Sequence, residues 1–212
     1  MPAKFSRKHS TNLHLRRFPV GLVLLAAVFL QGCGAMVGTM AAQTLASAVL
    51  NQDDPEVVAG GLPAYMLMVD GFIQQSPEDD GLLAGGAQLF ALYGSSFESD
   101  PDHAVVLTAK GRRYGERAMC IEHPPACDWM GLGYDLFVRE LTGVGSRQKE
   151  ALYSYAVSWL SHLDTASDDW SAVAELPWVQ AVFERLLEID ETYEQGGVPV
   201  SYTHLRAHET DS

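Results

Sequence analysis

The stretch ALYSYAVSWLSHLDTASDDWSAVAELPWVQAVFERLLEID, residues 151–190, decides the fold class. In its first half Leu152, Tyr155, Ala156, Trp159, Leu160 and Leu163 recur at steps of one, three and four residues, which places them on one face of a helix. In its second half Val179, Val182, Phe183, Leu186 and Leu187 repeat the pattern. Pro177 opens that second helix, because a first-turn residue has no intrahelical partner for an N–H. The polar run between the halves turns the chain back. The unit is therefore a helical hairpin.

The same reading extends toward the N-terminus. Asp54 followed by Pro55 is an N-cap with a first-turn proline. The helix it opens carries Leu62, Tyr65, Met66, Val69, Phe72 and Ile73 at helical spacing, with Gly60, Gly61 and Pro63 weakening it locally. Further helices are expected at about Gly81 to Phe97, Pro101 to Cys120, Trp129 to Leu141 and Arg147 to Leu163, with the sixth starting at Pro177 and ending at Gly196-Gly197. No stretch alternates as a strand does. The expected class is all-α, built of antiparallel helical hairpins. Hairpin spacing is near the roughly 34 residues of tetratricopeptide-type repeats, but the signature residues are degenerate. Periodicity leaves an α-solenoid and an ordinary helical bundle both open.

The N-terminus has a different character. A basic stretch, KFSRKHSTNLHLRR, precedes the apolar run Val20 to Leu30, which is short for a membrane span and has the flanks of an export signal. It ends in LQGC, Leu30 to Cys33, which resembles a bacterial lipobox, with Gln31 a departure from it. Cys33 is thus the expected lipidation site, with enough acyl chains for stable anchoring. Gly34, rather than Asp, follows the cysteine, the pattern of lipoproteins sent to the outer membrane. The expected organisation is a signal peptide over 1–33, a tether or first helix over 34–53, a helical-repeat domain over 54–199 and a tail over 200–212.

The chain's formal charge is −13, with +5 in residues 1–33 and −1 in the tail, which leaves −17 for residues 34–199. That repels phosphate backbones and argues against nucleic acid as a partner. Of three cysteines, Cys33 goes to lipid and Cys120 and Cys127 remain, flanking IEHPPA in an oxidising compartment. A disulfide closing that loop is the expectation, with two buried free thiols as the alternative. His123 alone does not complete a zinc site.

Catalytic motifs are missing from the sequence. There is no G-x-S-x-G, no H-E-x-x-H and no glycine loop followed by lysine, so neither an enzyme nor a cofactor or metal protein is expected. His103 reads as a solvated first-turn residue and His162 as a structural residue near a helix C-terminus. Asp79-Asp80 and Asp168-Asp169 read as helix caps. The aromatic residues Tyr93, Tyr155 and Trp159 are the candidates for lining a ligand groove, against the bland alternative that an aromatic stripe at helical spacing is core.

Residues 54–100 and 153–197, with RRYGERAMC at 112–120 between them and the lipobox before them, resemble the T-component (TatT) family of TRAP transporters. The run from Glu175 to Gly197 approximates that family's Leu-Pro to Tyr-Gly pattern. The resemblance implies a lipid-anchored periplasmic scaffold of tetratricopeptide-like hairpins. It also implies trimer formation, a groove for a small organic or apolar ligand, and association with a periplasmic solute-binding protein. The competing reading is an outer-membrane lipoprotein scaffold for envelope assembly without a transport role.

At the C-terminus His204 and His208 stand four apart, as zinc ligands on a helix would. Yet SYTHLRAHET, residues 201–210, resembles the conceptual translation of a transposon-based sequencing adaptor. The tail is expected to be non-native and the repeat domain to be cut short near Pro199, leaving apolar surface exposed on the sixth helix.

Overall fold

The computed structural model describes residues 53–193. The expected lipidation site Cys33, the tether, the Gly196-Gly197 helix end and the His204/His208 tail lie outside them. The chain divides into two compact units at Pro55, and the account below concerns the second. Among the described residues seven α-helices follow in order: α1 Pro55–Gln75, α2 Asp80–Ser96, α3 Pro101–Glu122, α4 Tyr134–Leu141, α5 Lys149–Thr165, α6 Trp170–Val173 and α7 Leu176–Ile189. Two 3-10 segments, Pro124–Gly131 and Ser146–Gln148, precede α4 and α5. No strand occurs among the described residues, so the fold is all-α.

Local chemistry sets the helix starts. Asp79 accepts the Leu82 N–H at 2.9 Å at the start of α2. Asp100 accepts from Asp102 and His103 ahead of Pro101 at the start of α3. Asp169 accepts from Ser171 at the start of α6. Each acidic cap satisfies N–H groups that the helix cannot. The fourth helix begins later than periodicity suggested. Trp129 lies in the 3-10 segment rather than in α4, because Pro124 and Pro125 supply no N–H and Cys127 is bonded to Cys120. The short α6 occupies what read as a plain connector.

Helices α2, α3 and α5 pack on one another, α7 packs on α5 and α4, and the 3-10 segment lies on α3. Helix α5 is the central element. It buries not only the expected Leu152, Tyr155, Ala156, Trp159 and Leu163 but also Ala151, Ser154 and Ser158, because neighbours cover more than one face. Its buried hydroxyls are satisfied: Ser154 Oγ accepts from Gln88 Nε2 at 2.7 Å and Ser158 Oγ donates to the Tyr155 carbonyl at 3.1 Å. The seams are close enough to exclude side chains. A Cβ on Gly111 would stand 2.9 Å from the Ala87 carbonyl oxygen, and one on Gly115 would stand 3.0 Å from Tyr155 Cα.

The apolar surface expected on the last helix is not there. In α7 Val179, Val182, Phe183 and Leu186 are buried. Leu176, Trp178 and Leu187 pack half-buried against the core, and Trp178 meets the Tyr134 ring edge-on at 5.3 Å. Helix α1 carries exposed apolar residues instead: Val57, Met68, Phe72 and Leu67, the last 74 % exposed.

Candidate functional site

The features with chemical potential meet where the middle of α3, the disulfide loop and the middle of α5 face one another. The 3-10 segment is tied back to α3 by the Cys120–Cys127 disulfide, whose Cα atoms lie 4.6 Å apart. It thereby presents Trp129 inward and Met130 outward. Trp129 is 1 % exposed and packs against His123, Phe137 and Tyr155. Met130 is 46 % exposed.

Opposite the loop, α3 contributes Arg112, Glu116 and Arg117, at positions one helical turn apart or adjacent. Arg112 is 13 % exposed at its side chain. Its Nε donates to Glu116 Oε1 at 2.9 Å and its Nη1 to Glu175 Oε2 at 2.7 Å, and the guanidinium lies 4.8 Å from the Trp159 ring centre. Glu175 Oε2 also accepts Trp159 Nε1–H at 2.7 Å. Arginine suits this position because its planar fork serves several acceptors at once and stacks on an aromatic face.

Two donors are served poorly. Arg112 Nη2 and the Tyr155 hydroxyl each find only the Met130 thioether, both at 3.6 Å. A thioether sulfur is a weak acceptor. A third donor nearby has nothing: Trp129 Nε1 is buried and without a hydrogen-bond partner, as is His123 Nε2. Burial first, and the Glu116 carboxylate second, push the Tyr155 phenol far above its ordinary range, so it stays a neutral donor. Glu116, Arg117, Met119, Met130, Ala126, Trp129, Tyr155 and the disulfide surround a cavity of about 300 Å³. That is the lower end of small-molecule sites.

The sequence-level candidates divide here. Tyr155 lines this cavity. Trp159 is fully buried beside it, ring centres 5.1 Å apart, and acts through Glu175. Tyr93 is stacked on Phe97 in α2, half-buried, and is not among the residues lining this cavity. Sequence reasoning missed Arg112, Met130 and Glu175. The available signal was Arg112 and Glu116 at i and i+4 inside a strongly acidic chain. His162 is half-buried with its Nδ1 3.4 Å from Thr108 Oγ1, and burial first, then Arg112, lower its pKa. His103 pairs with Glu98 at 2.6 Å on the surface. Among the described residues no group of three or more His, Cys, Asp or Glu side chains is arranged to hold a metal ion.

A family model described as TRAP transporter T-component matches residues 51–212. No curated protein matches the chain.

Proposed function

The chain belongs to the TRAP transporter T-component family, and we propose that it is a lipid-anchored accessory scaffold and ligand-handling component of a TRAP-type solute uptake system, docking a periplasmic solute-binding protein. The family match over residues 51–212 carries this reading. The family is a transporter component and not an enzyme family, and the role assigned to the site, with its donors and apolar wall, is binding. Cys33 is the lipid attachment point, holding the protein at the periplasmic face of the cell envelope, at the outer membrane by the Gly34 pattern. Trimer formation belongs to the same proposal.

Gentle extraction from native membranes followed by affinity capture tests the partner. A solute-binding protein is expected in the eluate, and its consistent absence under crosslinking would overturn the docking role. Labelled fatty acid incorporation tests the anchor separately: it is expected to disappear in Cys33→Ala, and unchanged labelling would remove the lipidation.

A further inference from the structure

We propose that the cavity between α3, the disulfide loop and α5 binds a small neutral molecule with an oxygen acceptor on an apolar body, and that the Met130 thioether holds the acceptor's place when the site is empty. The reading deepens the ligand-handling half of the proposed function and rests on that half alone.

The argument begins with donor satisfaction. Buried donors in folded proteins find strong acceptors, and an unserved one is costly. Here the buried Tyr155 O–H finds only the Met130 sulfur, at 3.6 Å, which Arg112 Nη2 also reaches in an exposed contact, and the buried Trp129 Nε1–H beside it has no partner. That sulfur belongs to a half-exposed, flexible side chain on the surface of a loop. Met130 can swing out without disturbing the core, whereas Tyr155 and Trp129 cannot. An entering carbonyl or amide oxygen would give the Tyr155 hydroxyl, which lines the cavity, the strong acceptor it lacks.

The charge balance decides against an anion. Arg112 already serves Glu116 and Glu175, so its charge is more than matched. With Arg117 included, the four side chains sum to zero. A carboxylate placed there would upset that balance beside the Glu116 carboxylate that lines the cavity, inside a domain that is itself strongly acidic. A neutral acceptor takes the same hydrogen bonds without that repulsion. The remaining wall, Met119, Ala126, Trp129 and the disulfide, suits an apolar body. A volume of about 300 Å³ corresponds to about ten water-sized occupants at roughly 30 Å³ each. A molecule of about the size of hexanamide fits that volume.

The test uses the full chain, labelled with nitrogen-15, and follows the Trp129 indole N–H resonance, assigned by its loss in Trp129→Phe. Hexanamide and hexanoate are titrated at about pH 7.5, where the acid is ionised. Hexanamide is expected to shift the resonance saturably, with hexanoate weaker by about tenfold or more. Tyr155→Phe, which keeps the shape, is expected to weaken hexanamide by about two- to tenfold, the worth of one net hydrogen bond. Met130→Leu is expected not to weaken it, because the ligand displaces the sulfur. Absence of a saturable shift, hexanoate binding as tightly as hexanamide, or an unchanged affinity in Tyr155→Phe would each overturn the proposal. Should Tyr155→Phe not fold, the hexanamide-to-hexanoate ratio on the unsubstituted chain decides. The membrane capture experiment reads the partner alone, so the two results separate.

Discussion

Substituting Gly111 by alanine tests whether the seam between α2 and α3 is as close as the structure has it. The added Cβ would stand 2.9 Å from the Ala87 carbonyl oxygen, 3.1 Å from the Ala91 nitrogen and 3.3 Å from Phe90 Cβ. Ordinary contact begins at 3.4 Å, so α3 must move away by about 0.5 Å at this point, the gap between 3.4 and 2.9. None of the three atoms is the free end of a flexible side chain, so the whole seam must give. Overpacking of this kind costs about 1–3 kcal/mol. Alanine in a helix interior recovers about 1 kcal/mol of propensity over glycine. The net expectation is a loss of about 0–2 kcal/mol. Gly85 in α2 supplies the control, since it is exposed and a Cβ there meets nothing within 4 Å. Gly85→Ala should therefore gain about 0.5–1 kcal/mol. Urea unfolding followed by far-ultraviolet circular dichroism, with a shared m-value, measures both. Gly111→Ala matching or exceeding Gly85→Ala in stability would refute the close seam.

Three further outcomes follow from the site. Glu175→Ala strands Arg112 Nη1 and Trp159 Nε1 and should cost about 2–3 kcal/mol in the same urea assay; Glu188→Ala, which removes an exposed partner of Arg185, should cost less than about 1 kcal/mol. His162 has its pKa lowered by burial and by Arg112, so the unfolded chain binds the proton more readily than the folded one. Its contribution is therefore complete above the unfolded value of about 6.5 and is lost as pH falls below it; urea midpoints between neutral and mildly acidic pH should show this slope, and His162→Asn should flatten it. The Cys120–Cys127 bridge closes a loop seven residues in sequence separation, for which chain entropy gives about 2.5 kcal/mol. Thiol titration of the denatured, unreduced protein should find neither cysteine reactive, and two titrating thiols would rule the bridge out.

Much of this fold is written in short-range pattern. The stripe Leu152, Tyr155, Ala156, Trp159, Leu160 and Leu163 needs only the helical period to be read, and all but the half-buried Leu160 are buried. The caps Asp79, Asp100 and Asp169 act on residues two or three positions away, so sequence suffices to place them. The late start of α4 was harder, because a proline pair and a covalent link override the periodicity of the residues around Trp129.

The candidate site was legible only in pieces. Tyr155 stood out as an aromatic residue on a helix, but nothing local says that its hydroxyl meets Met130, 25 positions earlier, or that Arg112 reaches Glu175, 63 positions later. Likewise the apolar residues of α1 and α7 look alike in sequence, yet α7 lies against α5 and α4 while Leu67 of α1 faces solvent. Sequence by itself determined which of the longer segments are helical and where most begin, because backbone capping and side-chain period are decided within a turn or two. Tertiary structure alone decided which donors lack a good acceptor, because that depends on which distant side chains the packing brings within hydrogen-bonding reach.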